Sequence, residues 1–316
     1  MAILKNVGLI FPGQGSQRVG MGRELAQTFD IALEKYNQAD EFLGFPLSSL
    51  SWYGPEESLN DTINTQPALF THSIATLEVL HTLLPGLNPI GFAGHSMGEL
   101  SALAAAGSLS FTDGLYLTRT RGELMKMAGE ESPGGMAAIL GLDIPEVEYY
   151  CALASDLKDI VQVANDNSPG QVVISGTIAA LERVIPLLQA AGARRVIRLA
   201  VSIASHSPLM QHAQKEFSRI VETTLIHDPI FPIIGNVYAQ PLTSSDLIRQ
   251  DLHDQLTHRV RWVESIHYLK NLGVTNYIEI GNGTVLCGLV KRIDPTADVF
   301  ACSTLQDLEN LVKLTN

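Results

Sequence analysis

Apolar positions along the chain follow two alternating rhythms. Val7-Gly8-Leu9-Ile10-Phe11 and Ile90-Gly91-Phe92-Ala93 are short unbroken apolar runs with the length of buried strands. Between them Phe70, Ile74, Leu77, Leu80 and Leu84 recur at three- and four-residue steps and predict a helix over 67–84. Pro67 suits its first turn and Pro85-Gly86 stops it. Residues 99–106 are strong helix formers halted by Gly107, and Ser110-x-x-Asp113 reads as a capping box opening a helix to about residue 127. Strand and helix alternate, which predicts an α/β fold with a parallel sheet.

The rhythm changes after residue 130. A loop over 130–135 precedes a strand at 136–140, a helix at 145–154, strands at 160–164 and 171–175, a helix at 178–191 ended by Gly192, and a strand at 195–201. This βαββαβ order matches the ferredoxin-like motif. It predicts a small subdomain at 133–201 inserted into a larger α/β subdomain made of 1–132 and 202–316. The C-terminal third returns to the first rhythm, with strands expected at 231–237 and 276–280 and helices at 244–256 and 262–272.

Composition narrows the class. The chain has 316 residues, 46% hydrophobic and 17% charged, as expected of a folded core. No apolar run reaches the roughly 18–20 residues of a membrane span. The first residues carry no basic, apolar and cleavage-site succession, so a cytoplasmic protein is expected, with no membrane partner. A net charge of −12 argues against nucleic acid as a partner and requires any anionic substrate to meet a locally positive site. Cys151, Cys287 and Cys302 form neither a disulfide framework nor a zinc pattern.

The chemistry concentrates at Gly94-His95-Ser96-Met97-Gly98, a G-x-S-x-G sequence between the strand at 90–93 and the helix that follows. In that context it reads as a nucleophile elbow. The sharp turn exposes the Ser96 hydroxyl at a helix N-terminus, where backbone N–H groups can hold an oxyanion. A serine needs a base, and nine histidines are available. His206 lies in a short loop able to face the mouth of the sheet, whereas His95 sits inside the elbow and is expected to point away from Ser96. Arg121 could grip a carboxylate with two hydrogen bonds, with Arg119 its competitor. Pro12-Gly13-Gln14-Gly15 is either a tight turn or, as in hydrolase-like sites, the source of an oxyanion donor at Gln14; Met97, after the nucleophile, would be the other.

Six ordered segments carry a resemblance that spans nearly the whole chain: Phe11-Pro12-Gly13-Gln14-Gly15-Ser16-Gln17, Gln66-Pro67-Ala68-Leu69, Gly94-His95-Ser96-Met97-Gly98-Glu99, Arg121-Gly122-Glu123-Leu124-Met125, the run from Asn165 to Gly176, and Ser205-His206-Ser207. They resemble the malonyl-CoA:acyl-carrier-protein transacylases, a family that includes discrete acyltransferases of polyketide synthesis. The resemblance implies an α/β hydrolase-like core with a ferredoxin-like insert. It implies Ser96 as nucleophile, His206 as general base and acid, the backbone N–H groups of Gln14 and Met97 as oxyanion hole, and Arg121 on the malonyl carboxylate. It further implies a backbone carbonyl orienting the histidine, matched to Arg261, and an acyl pocket drawn from Gln66, Met136, Asn165 and Ser205. Arg259, Arg261 and Asn282 stand where many relatives have proline, glutamine and proline.

The implied reaction is ping-pong transfer of a malonyl group from malonyl-CoA, through a malonyl-serine ester, to the phosphopantetheine thiol of an acyl carrier protein. CoA is the product; no cofactor or metal is implied, and a monomer is allowed. An apolar Met97 resembles malonyl-selective members. Ile203-Ala204-Ser205-His206 resembles loosely a tetrapeptide of methylmalonyl-selective polyketide enzymes. Malonyl is the favoured substrate. A thioesterase using the same Ser–His pair and a non-catalytic docking module are the competing classes.

Overall fold

The structure is a computed structural model and describes residues 4–315. Among the described residues ten strands form two sheets. Those of the larger sheet are β1 (Val7–Phe11), β2 (Pro89–Gly94), β7 (Ile233–Ile234), β8 (Pro241–Leu242), β9 (Asn276–Ile280) and β10 (Asp298–Cys302); those of the smaller are β3 (Gly134–Leu140), β4 (Val161–Ser168), β5 (Gln171–Thr177) and β6 (Arg195–Arg198).

The larger sheet has the order β10-β9-β1-β2-β7-β8. Its pairs are parallel except β7–β8, with Leu9 opposite Phe92 on one side and Ile278 on the other. All five residues of β1 are buried, as a central parallel strand covered on both faces requires. Phe11, Phe92, Leu100, Leu103 and Ile278 belong to one core cluster, while Ile10, Ala93, Trp262 and Tyr277 belong to another. β1 and β2 therefore end at one rim, and the expected elbow lies there.

The smaller sheet has the order β4-β5-β3-β6, antiparallel throughout, with helices Ile144–Ala154 and Ile178–Ala190 over its own core of Ile139, Val147, Ile174 and Val184. The arrangement is the ferredoxin-like one predicted from the βαββαβ order. Its β4 edge meets the rest of the chain through a parallel bridge between Asn165 and Val260. There the Val260 amide donates to Ala164 O (2.9 Å) and the Asp166 amide donates to Val260 O (2.9 Å).

Several boundaries differ from expectation. The helix expected at 67–84 runs Thr62–Leu83, so Pro67 lies in its interior. Proline has no N–H to give the carbonyl four residues back; that carbonyl, Ile63 O, instead accepts from Arg119 Nη1 at 3.2 Å. Ser110 caps its helix, accepting from the Asp113 amide at 3.0 Å, but the box is not reciprocal, since the Asp113 carboxylate accepts from the Ser110 hydroxyl at 2.5 Å. The helix runs on to Glu131 and β3 starts at Gly134, which leaves only 132–133 of the expected loop. The strand expected at 195–201 stops at Arg198. The one expected at 231–237 pairs only at Ile233–Ile234, because Asn236 turns in to bond the elbow.

Candidate active site

Ser96 sits just past the end of β2 with φ +53°, the left-handed conformation that a nucleophile elbow gives its central residue. The turn is too tight for side chains around it. A Cβ on Gly94 would lie 2.0 Å from Gly98 O, and one on Gly98 would lie 2.2 Å from Phe11 O. Buried Asn236 clips the turn. Its Nδ2 donates to Gly94 O (2.7 Å) and its Oδ1 accepts from the Ser96 amide (2.7 Å).

His206, also left-handed at φ +59°, brings Nε2 to 2.8 Å from Ser96 Oγ. Its Nδ1 faces two carbonyl oxygens, Gln255 O at 2.9 Å and His258 O at 3.0 Å. Carbonyls only accept, so these partners assign the proton to Nδ1 and leave the Nε2 lone pair for the serine hydroxyl. Burial, then the positive charge of Arg121, pushes the imidazole pKa down to about 3, so the ring is a neutral base across the neutral range.

Arg121 is 1% exposed. It donates from Nε to Gln255 Oε1 (3.0 Å), from Nη1 to Gln66 Oε1 (2.8 Å) and from Nη2 to Ser96 Oγ (3.1 Å). None of these acceptors is an anion. Burial lowers the guanidinium to about 10, which leaves it cationic at neutral pH. A buried guanidinium held by neutral acceptors has the chemistry to take a carboxylate in two-point contact. Arg119, two residues away, is half-buried and bonded to Glu123 at 2.6 Å; the competitor is committed elsewhere.

The cleft above Ser96 has a volume of about 280 Å³. Gln14, Met97, Met136, Asn165 and Ser205 line it with Ser96, Arg121 and His206. The amides of Gln14 and Met97 donate to no protein acceptor among the described residues, as oxyanion donors should not. Gln66 lies behind Arg121 rather than in the cleft, and Thr62 Oγ1 joins the two sides by donating to Gln14 Oε1 at 2.9 Å and accepting from Gln66 Nε2 at 3.0 Å. His95 turns away from Ser96, as expected, and meets Asn167 Oδ1 at 2.7 Å.

Arg261 is the correction. Its carbonyl does not orient His206: it accepts from the Ser265 amide at 3.0 Å, in the first turn of the helix Trp262–Asn271. Its guanidinium pairs with Glu264 at 2.7 Å, outside the cleft. The orienting carbonyls come from Gln255 and His258, in the loop before it. A backbone oxygen leaves no mark on residue type, so a shifted register there went unseen. Asn236, Gln255, Glu99, Asp251 and Asn167 were missed as well; Glu99 and Asn167 lie inside the segments that carry the resemblance, Asn236 is a polar residue at the end of an apolar run, and Gln255 and Asp251 sit among other polar residues with nothing to mark them.

An elbow serine, a neutral histidine and free backbone amides at the rim of a parallel sheet are the parts that an acyl-transfer enzyme with a serine nucleophile requires. Residues 9–297 match the family model described as acyl transferase domain, and the chain belongs to that family. It is 43% identical over 306 residues to the malonyl CoA-acyl carrier protein transacylase of Bacillus subtilis, covering 97% of this chain and 96% of that one. It is 43% identical over 290 residues to the protein of the same name from Haemophilus influenzae, covering 92% and 93%. Its structure resembles the malonyl CoA-acyl carrier protein transacylase of Coxiella burnetii, with TM-score 0.95, 38% identity and 100% coverage of both chains. It also resembles a malonyl-transacylase solved in complex with a type II PKS acyl-carrier protein, with TM-score 0.95, 39% identity and coverage of 98% and 100%.

Proposed function

We propose that this chain transfers a malonyl group from malonyl-CoA to the phosphopantetheine thiol of an acyl carrier protein, in fatty-acid or polyketide synthesis. One observation carries the reading: Ser96 Oγ lies 2.8 Å from a neutral imidazole and 3.1 Å from a buried guanidinium whose hydrogen-bond partners are all neutral. A simple ester or acetyl thioester gives such a guanidinium nothing to bind; a dicarboxylic half-thioester does.

His206 Nε2 takes the Ser96 proton as Oγ attacks the thioester carbonyl. The oxyanion is held by the Gln14 and Met97 amides, each a donor of the kind worth roughly 3 kcal/mol of barrier. The intermediate collapses, the carbon–sulfur bond breaks, and the imidazolium returns the proton to the CoA sulfur. The carrier thiol then gives its proton to His206, attacks the malonyl-serine ester, and regenerates the serine hydroxyl. Throughout, Arg121 pairs with the free carboxylate and Gln66 holds Arg121. Met136, Asn165 and Ser205 border the acyl group from the segment 133–201 and the loop that leaves it, so this inserted segment acts as one wall of a site whose nucleophile sits on the parts 1–132 and 202–316. The reading places the enzyme in the cytoplasm, where donor and carrier meet. No helix among the described residues is long and apolar enough to cross a membrane.

Intact-protein mass spectrometry after mixing with malonyl-, methylmalonyl- and acetyl-CoA tests this. A malonyl mass gain, absent in Ser96→Ala and discharged by a phosphopantetheinylated carrier protein rather than by water, supports transfer. Rapid release of free malonate without a carrier identifies a thioesterase.

A further inference from the structure

Behind the catalytic residues two carboxyl groups are buried side by side. Glu99, in the elbow helix Gly98–Ala105, is 0% exposed; Asp251, in the helix Ser245–Asp254, is 1% exposed. Their oxygens converge on one backbone donor, and two carboxyl groups so placed repel when both are ionised and can hydrogen-bond when one is protonated. Both also face the Asn236 amide, Glu99 Oε1 at 3.3 Å and Asp251 Oδ2 at 3.1 Å.

The surroundings distinguish the two. Asp251 sits in a pocket of successive backbone N–H groups, accepting from Asn236, from Val237 (3.3 Å) and from Tyr238 (3.5 Å), an arrangement suited to an anion. Gly235 makes room for it, since a Cβ there would lie 2.5 Å from Asp251 Oδ1. Glu99 has one amide at the longer distance and, on Oε2, the side-chain Nε2 of Gln255. Burial and the neighbouring Asp251 charge both push the Glu99 carboxyl well above its usual range. The other charged or titratable groups around the pair are Arg121, held to Gln255, His206, whose Nδ1 bonds Gln255 O, and Tyr238 and Asp254 beyond Asp251.

Gln255 is thus where the pair touches the chemistry. Its carbonyl accepts from His206 Nδ1, its Oε1 accepts from Arg121 Nε, and its Nε2 reaches Ser96 O (3.2 Å) and Glu99. We propose that Glu99 works as a neutral carboxylic acid, donating its proton to ionised Asp251 and accepting from Gln255, and that it is a positioning residue fixing the base and the arginine through that glutamine. One proton and one charge on the pair leave a single buried anion to balance the single buried cation of Arg121.

The inference predicts an asymmetry. Glu99→Gln reproduces the neutral acid: its amide N–H donates to Asp251 and its oxygen accepts from Gln255. It should keep kcat/KM for malonyl transfer within about threefold, whereas Glu99→Leu should lose about a hundredfold, mainly in kcat, because Gln255 is no longer held. Asp251→Asn should lower Tm the most, since its amide group turns a donor toward backbone donors. Infrared difference spectra of wild type minus Glu99→Gln at neutral pH should show the carbonyl stretch of a protonated carboxyl. A kcat/KM of Glu99→Gln as low as that of Glu99→Leu, or a difference spectrum showing a lost carboxylate, overturns the proposal. The kinetic comparison rests on the acyl-transfer reading; the infrared comparison stands without it.

Discussion

Two cavities reach the segment that carries His206, the front one at Ser205 and His206 and the rear one at Pro208. The front one is the cleft at the elbow; the rear one, of about 560 Å³, is lined by Gln162, Val237, Thr257, His258, Arg259 and Arg261 among others. Both contain arginine and histidine, and the rear one is larger. In the rear, Arg259 pairs with Glu148 at 2.7 Å and Arg261 with Glu264 at 2.7 Å, on side chains that reach solvent. In front, Arg121 is sealed from water and bonds only neutral groups. Charge type and cavity size do not separate the two places. The difference lies in whether the guanidinium is already bonded directly to a carboxylate, and whether the elbow serine stands beside it.

The largest effect that sharpens this contrast is Ser96→Ala, expected to lower transfer by a factor of about 10⁴ or more, read by loss of both turnover and the malonyl adduct. Arg121→Ala should come next. It removes a charge-assisted pair to the substrate and should cost malonyl transfer about a hundredfold while favouring acetyl transfer relatively, measured as the ratio of the two kcat/KM values. Equal losses for both acyl groups would dissolve the distinction between the cavities. Asn236→Ala unclips the elbow; loss of two buried hydrogen bonds predicts a fall of roughly tenfold in turnover and about 1–3 kcal/mol in stability by denaturant titration.

Acidity offers a graded test. Because the His206 pKa is lowered to about 3, kcat/KM should stay level as pH falls from 8 to about 5; an acid limb near 6.5, the ordinary imidazole value, would contradict a buried neutral base. Stability has the matching sign. The unfolded chain takes up a proton on this histidine below about 6.5 and the folded chain does not until near 3, so stability from His206 is full above that window and declines through it. His72, lowered to about 4 by burial, adds to the same decline. The smallest effects belong to the rear cavity: Arg259→Ala and Arg261→Ala each remove a solvent-reached ion pair, worth about 1 kcal/mol or less, and should change transfer by less than about threefold.

What the sequence disclosed follows from which signals survive in residue type. The elbow was legible because glycine at 94 and 98 and apolar runs on either side are side-chain facts. The small sheet was legible because its strands and helices have the lengths and periods of a βαββαβ unit. The helices Arg23–Thr28, Asp30–Leu43, Leu47–Tyr53 and Glu56–Asn60 were not read at all. They are short or weakly patterned, and their order comes from packing, three of them on the helix Thr62–Leu83 and Arg23–Thr28 on Asp30–Leu43, rather than from their own periodicity. The strand Asp298–Cys302 and the helices Val285–Ile293 and Leu305–Thr315 escaped as well. Asn236 reads as a strand residue until the chain turns there, and the carbonyls that orient His206 belong to residues whose names carry no hint of that task.

The bridge between Asn165 and Val260 has a mechanical consequence. Asn165 stands in the wall of the front cleft, and Val260 follows two residues after His258, whose carbonyl steadies the base. Backbone bonds on both sides of this contact tie the smaller sheet to the histidine loop. On the proposed function, a displacement of that sheet to admit a bulkier acyl chain would be passed through these two bonds to the carbonyl that faces the imidazole, which would link the width of the cleft to the setting of His206.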